Sequence, residues 1–139
     1  MKTKTVKVKE LQQFADEKFR EHNLARWQLI FLTEEEIRFL DFPLHRNGLT
    51  VHILDLIIIP IEIIKEFKIH TLKDIFLHEL AHAISKENHT KKFREVAKQI
   101  GCQGFKAKPN RYIFDMYGTF KVTPQQEIIC MQRWYDNQK

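Results

Sequence analysis

Residues 78–82 read His78-Glu79-Leu80-Ala81-His82, the spacing of a metal-binding helix. Residues four apart on an α-helix differ by about 40° around its axis, so both histidines would project from one face and could bind one metal ion. Glu79 would lie about 100° from His78, beside the ion. The pattern His-Glu-x-x-His therefore predicts a zinc site with an adjacent carboxylate.

The residues around this motif favour a helix over about 71–86. Thr71 followed by Asp74 is similar to a capping box, with Asp in place of the usual Glu or Gln. An apolar stripe would enter a core on the side roughly opposite the histidines, and its members are Leu72, Phe76, Leu80 and Ile84. The alternative is that His78 and His82 are ordinary hydrogen-bonded histidines. The cap, the stripe and a third candidate ligand favour the metal site.

The third candidate ligand is His89, because a catalytic zinc site needs three protein ligands and one open position. Thr90 can cap a second helix that would hold His89 near its start, with apolar residues at helical spacing before Gly101: Phe93, Val96, Ala97 and Ile100. Glu95 is the competing ligand, although it should lie on the solvated face of that helix. A metzincin pattern would need glycine and histidine where Ser85 and Asn88 stand, so that subclass is disfavoured.

The segments 78–84 and 88–93 resemble the active-site region of SprT-like metallopeptidases, a family that includes small phage and bacterial members and Spartan-type DNA–protein crosslink proteases. The resemblance covers roughly residues 24–101, and only 78–93 is specific. It implies a third histidine in the loop after the metal helix, an aromatic on the next helix, and a three-stranded sheet ahead of both. Two features depart from the family. Only Cys102 and Cys130 are present, too few for the zinc ribbon of many relatives, and Asn88 and Thr90 flank His89 where glycine is frequent.

Length and composition predict a single domain over residues 1–139, with 43% hydrophobic and 29% charged residues. The most apolar run, 51–64, is interrupted by polar residues and is too short for a membrane helix, so no membrane association is expected. The basic start lacks an apolar signal core, which favours a cytoplasmic protein with free thiols at Cys102 and Cys130. A monomer is expected.

Periodicity and turn residues predict an α+β fold of zincin type, a short three-stranded sheet packed on the metal helix with flanking helices. The expected elements are a helix over 8–21, strands over 26–32, 36–41 and 49–59 with Gly48 in the turn before the last, and a helical linker over 60–68. The metal-site segment follows at about 71–101. A hairpin over 111–114 and 119–122 and a helix starting at 123–126 would complete a C-terminal part over about 110–138.

These parts predict a zinc metalloendopeptidase acting on protein or peptide. Zinc held by His78, His82 and His89 would lower the pKa of water, and Glu79 would act as the general base during attack on an amide carbonyl. Tyr112, Arg111 and Tyr117 are candidates for stabilising the oxyanion on chemical type alone. The alternative is that the two tyrosines are core aromatics and the arginine is a surface charge. The strand over 50–59 is the candidate edge for pairing with a peptide.

A non-catalytic function is the alternative. The net charge is +5, and basic residues gather over 2–9, 91–98 and 106–111, so DNA contact through a basic surface is a second hypothesis. Metal-stabilised binding of nucleic acid, or a catalytically idle relative, would leave Glu79 without a role. Four other histidines are expected to be structural: His22, His45, His52 and His70.

Overall fold

The computed structural model of the protein describes residues 3–40, 42, 47–87, 90–103 and 123–137, without the side chains of Trp134 and Asn137. Within these ranges the fold is α+β, as predicted, with six α-helices and one three-stranded mixed sheet. The helices are α1 (Lys4–Glu21), α2 (Glu34–Phe39), α3 (Ile63–Glu66), α4 (Ile69–Ser85), α5 (Lys91–Gln99) and α6 (Pro124–Asn137). The strands are β1 (Gln28–Leu32), β2 (Leu49–Val51) and β3 (Leu56–Pro60).

The sheet has the order β1-β3-β2, with β1 parallel and β2 antiparallel to β3. Alternate residues of its strands point to opposite faces. Leu29 and Ile57 join a core formed with α1, α4 and α5, whereas Ile30 and Ile58 join a second core with α2 and Cys130 of α6. The sheet therefore lies between two helical layers, and α4 packs on one face of it.

The prediction of a strand over 36–41 was wrong, because residues 36–39 belong to α2. Thr33 and Glu36 form a capping box in which each side chain accepts a hydrogen bond from the other residue's backbone N–H. This box satisfies two N–H groups at the start of the helix, which a strand would have left to other partners. Ile37 then points into the second core.

The expected strand over 49–59 is two strands rather than one. A 3₁₀ turn over His52–Leu54 follows β2, and Asp55 adopts a left-handed conformation with φ 55°. This reversal folds β3 back antiparallel to β2. The segment predicted as one strand therefore supplies two strands of the sheet, and β1 supplies the third. The predicted linker helix over 60–68 is reduced to the four residues of α3.

Helix α4 begins two residues earlier than predicted, and the proposed capping box at Thr71 was wrong. The N-cap is Lys68, whose carbonyl accepts from the backbone N–H groups of Thr71 and Leu72. The carboxylate of Asp74 instead accepts from the backbone N–H of Gln103, which ties the chain after α5 to α4. Helix α1 likewise begins earlier than expected, because Thr3 caps it.

The predictions for α5 and α6 were confirmed. Thr90 caps α5 and accepts from the N–H of Phe93, and Gly101 follows that helix with φ 89°. Thr123 and Gln126 cap α6 reciprocally, and Pro124 is its first residue. The predicted hairpin over 111–122 lies outside the described residues. No helix in the described ranges has both the length and the hydropathy to cross a bilayer.

Candidate metal centre

His78 and His82 lie side by side on α4, as the motif predicts. Their ring centroids are 5.0 Å apart and the ring planes are inclined by 73°. With zinc–nitrogen bonds of about 2.0–2.1 Å and tetrahedral angles, two imidazoles on one ion have their centroids about 5 Å apart. The spacing of the two rings therefore fits a shared metal ion.

The chain just after α4 fixes the orientation of His82. Lys86 adopts a left-handed conformation with φ 61°, and the N–H of Glu87 bonds to the hydroxyl of Ser85. This turn brings the carbonyl oxygen of Glu87 to 2.7 Å from Nδ1 of His82. Since a carbonyl can only accept, Nδ1 carries the proton and Nε2 is the nitrogen with a lone pair for a metal. Metal-binding histidines commonly donate from the second ring nitrogen in this way.

Phe93 of α5 forms an apolar wall against both imidazoles. Its ring stacks on His82 with centroids 4.2 Å apart and planes 26° apart, and meets His78 edge-on at 5.0 Å. Phe93 has no exposed surface and belongs to the core between α4 and α5. Packing from a second helix therefore restricts the rotation of both rings.

Glu79 points from α4 toward the sheet, where β2 contacts it. The hydroxyl of Thr50 lies 2.7 Å from Oε1 of Glu79 and 3.0 Å from its carbonyl oxygen. Both side chains are buried. Gly48 closes the same side, since an added Cβ would lie only 2.9 Å from Cγ of Glu79. The carboxylate is thus held by the strand beside the metal helix.

The third ligand is not settled by the described residues, because His89 lies outside them. Within the described ranges no group of three or more His, Cys, Asp or Glu side chains could hold a metal ion. The competing ligand, Glu95, is 61% exposed and lies 4.0 Å from Lys91 on α5. Tyr112, Arg111 and Tyr117, the oxyanion candidates, also lie outside the described residues.

The prediction that the strand over 50–59 offers an edge was wrong for most of its length. Strand β3 is central and pairs with β1 on one side and β2 on the other. Among the strands of the described ranges, β2 is the one that forms an edge next to the metal helix, and it carries Thr50. A peptide could therefore pair with β2 but not with β3.

Of the other histidines in the described ranges, His52 packs against an aromatic ring and His70 is exposed to solvent. His52 lies in the 3₁₀ turn rather than on a strand, and its ring meets Trp27 edge-on with centroids 5.6 Å apart. His70 is exposed in the first turn of α4, inside the helix rather than before it, and His22 follows α1. His45 lies outside the described residues.

Basic side chains cover the outer face of α5. Lys91, Lys92, Arg94 and Lys98 are all exposed. In the N-terminal group, Lys7 is used structurally, since its amine donates to the carbonyl oxygens of Ile64 and Phe67 at the end of α3. The third basic group, over 106–111, lies outside the described residues.

Sequence reasoning did not identify Thr50, Gly48 or the carbonyl of Glu87 as parts of the site. The first two lie about 30 positions before Glu79, and no motif joins them to it. Gly48 was recognised only as a turn glycine. Comparisons with protein-family models, curated proteins and solved structures found no match for this chain.

Proposed function

We propose that the chain is a zinc-dependent metallopeptidase of the zincin type, similar to SprT-like enzymes. The observation that carries the proposal is the hydrogen bond from Nδ1 of His82 to the carbonyl of Glu87, which directs Nε2 to a ligand. The ring spacing of His78 and His82 and the buried carboxylate of Glu79 support it. The resemblance of residues 78–84 and 88–93 to the SprT-like active site agrees with it.

His78, His82 and His89 would hold the zinc ion. His89 is proposed because residues just before and after it in the chain contact the metal-binding histidines or begin the helix that packs on them. Two residues before it, the carbonyl of Glu87 contacts His82, and one residue after it Thr90 starts the helix that carries Phe93. Glu95 is a weaker candidate because its carboxylate is in solvent beside Lys91.

When bound, zinc would polarise a water molecule and the carbonyl of the substrate. Glu79 would take a proton from that water onto a carboxylate oxygen as the water attacks the amide carbon. The same carboxylate would then pass the proton to the departing amine. Burial of Glu79 and the apolar wall formed by Phe93 would keep bulk water from competing for these hydrogen bonds. An extended peptide would pair with β2.

Zinc content and proteolysis of casein or a peptide library test this proposal together. The wild-type protein should bind one zinc ion and cleave substrate, and a chelator should stop cleavage reversibly. Glu79→Gln should retain zinc but lose about 10²–10⁴-fold in kcat/KM, because the general base is removed while the ligands stay. The matched control is Glu35→Gln, which changes an exposed carboxylate on α2. Full activity of Glu79→Gln would refute the proposed mechanism.

A metal-stabilised nucleic-acid-binding module is the second candidate function. The cations exposed along α5 favour it, since a row of basic side chains supplies phosphate contacts. Under this hypothesis Glu79→Gln would change nothing, and neutralising Lys91 and Lys98 would weaken DNA binding and reduce its salt dependence. If both properties are found, the peptidase would act on DNA-associated proteins.

A further inference from the structure

The edge strand β2 makes a specific contact with the carboxylate proposed to be the general base. Thr50 has no exposed surface, and its hydroxyl lies 2.7 Å from Oε1 of Glu79. Thr50 pairs with Ile57 in the sheet, so its side chain is on the face that packs against α4. A threonine hydroxyl has one proton, and a carboxylate can only accept it. The hydroxyl therefore donates to Glu79.

Gly48 limits the same carboxylate from a second direction. A Cβ atom there would lie 2.9 Å from Cγ, 3.3 Å from Cδ and 3.3 Å from Oε2 of Glu79. Contacts below 3.0 Å require something to move, and the backbone of Gly48 adjoins a paired strand that cannot easily shift. The absence of a side chain at Gly48 thus creates the space that the Glu79 side chain fills.

We propose that Thr50 and Gly48 are positioning residues that set the orientation of Glu79 for proton transfer. Thr50 holds Oε1 by a hydrogen bond, and Gly48 provides a backbone surface against the methylene group and the carboxylate. This inference rests on the proposed peptidase function. It predicts that this part of the chain has two roles: β2 binds a peptide at its edge, and Thr50 of β2 together with Gly48 just before it fixes the base.

The expected effects follow from the geometry. Thr50→Val keeps the shape of the side chain but removes the hydroxyl donor to Oε1 of Glu79, so one of the constraints on the carboxylate is lost. Because a displacement of about 1 Å in a catalytic group can cost about 10²-fold in rate, kcat should fall by about 10- to 100-fold. KM should change little, since Thr50 faces the helix rather than the substrate. Thr50→Ser retains the hydroxyl and should restore most of kcat.

Gly48→Ala tests the steric contact by itself. The added methyl group would displace the Glu79 carboxylate while leaving the hydroxyl of Thr50 in place, and kcat should again fall without loss of zinc.

The matched control for Thr50→Val is Thr71→Val, which removes a hydroxyl from α4 at a position that does not contact Glu79. In a Glu79→Gln background, Thr50→Val should cause no further loss of kcat.

A second readout does not depend on activity. Crystal structures of the metal-free wild-type and Thr50→Val proteins should differ in the side-chain rotamer of Glu79. An unchanged rotamer, or a kcat for Thr50→Val equal to that of Thr50→Ser, would overturn the inference. If the wild-type protein binds zinc but cleaves nothing, the proposed function fails, and the rotamer comparison still decides whether Thr50 positions Glu79. Should Thr50→Val not fold, Gly48→Ala supplies the same two measurements.

Discussion

Nδ1 of His82 donates to the carbonyl oxygen of Glu87, across a turn in which Lys86 adopts a left-handed conformation. A non-glycine residue pays roughly 1–2 kcal/mol for this conformation, and glycine avoids that cost. Part of the gain is offset, because glycine has more conformational freedom in the unfolded chain. We expect Lys86→Gly to raise the free energy of unfolding by about 0.5–1 kcal/mol and to leave zinc affinity unchanged. Urea denaturation and zinc titration measure the two quantities.

The control for that prediction is Lys86→Val. A β-branched side chain is strongly disfavoured at positive φ, so this variant should be destabilised and should bind zinc more weakly if the turn orients His82. Equal zinc affinity in the glycine and valine variants would show that the turn does not support the metal site.

Phe93 should contribute to metal binding through its contacts with both imidazoles. Phe93→Leu removes ring contacts in the core and should lower the free energy of unfolding by about 1–2 kcal/mol. Phe76→Leu is the matched control, because Phe76 is equally buried but packs on Phe14 and Phe19. Both variants should lose similar stability, and only Phe93→Leu should weaken zinc binding. A similar loss of zinc affinity in both would assign the effect to general destabilisation.

The identity of the third ligand can be tested by comparing two alanine variants. His89→Ala should lower zinc affinity by more than the roughly 10–100-fold typical of losing an outer-shell partner. Glu95→Ala should have no effect, because its carboxylate is 61% exposed. Isothermal titration with zinc would separate them. The opposite result would make Glu95 the ligand and would require α5 to move.

Glu36 should make stability depend on acidic pH. Burial by itself would raise the pKa of Glu36, but the backbone N–H of Thr33 and the guanidinium of Arg133 hold that pKa below its ordinary value of 4.5. A lowered folded-state pKa contributes stability that is present above about pH 4.5 and is lost as the pH falls through the folded-state pKa. Lowering the pH from 6 to 3 should therefore reduce the free energy of unfolding of the wild-type protein more than that of Glu36→Gln. Urea denaturation at each pH measures this quantity.

Glutamine is suited to this comparison because it can still accept from the N–H of Thr33. The variant loses only the ion pair, in which Nε of Arg133 lies 2.7 Å from Oε2 of Glu36. Arg133→Gln should remove the part of the pH dependence that comes from Arg133 and leave the part that comes from the N–H of Thr33. Parallel stability curves for all three proteins would contradict the prediction.

Both cysteines should resist alkylation in the folded protein. Burial, and then the charge of Glu36, raises the pKa of the Cys130 thiol to about 12, so at pH 8 roughly one part in ten thousand is thiolate. Cys102 is also buried, and the two cysteines form no disulfide, as predicted. Iodoacetamide labelling followed by mass spectrometry should modify them only after denaturation. Rapid labelling of Cys130 in the native state would show that the second core opens.

The helices with local start signals were the most predictable part of the fold. Thr90 and Thr123 each bond to backbone groups three residues ahead, so α5 and α6 begin where the sequence indicates. The same type of signal was present at Thr33 and Glu36, but residues 36–41 were predicted to form a strand. At Thr71 the opposite error occurred, because the helix already begins at Ile69 and the N–H of Thr71 bonds to the carbonyl oxygen of Lys68.

The amino-acid sequence alone fixed the relation of His78, Glu79 and His82, because helical geometry places residues one and four apart at constant angles. The tertiary structure decided what surrounds them: Thr50 and Gly48 against Glu79, and Phe93 against both imidazoles. It also decided that, among the described strands, β3 is central and β2 lies at an edge. The physical reason is the separation along the chain over which each kind of interaction acts. Caps and helical spacing act over three or four residues, whereas strand order and the contacts of a buried carboxylate follow from how the whole chain buries its apolar side chains.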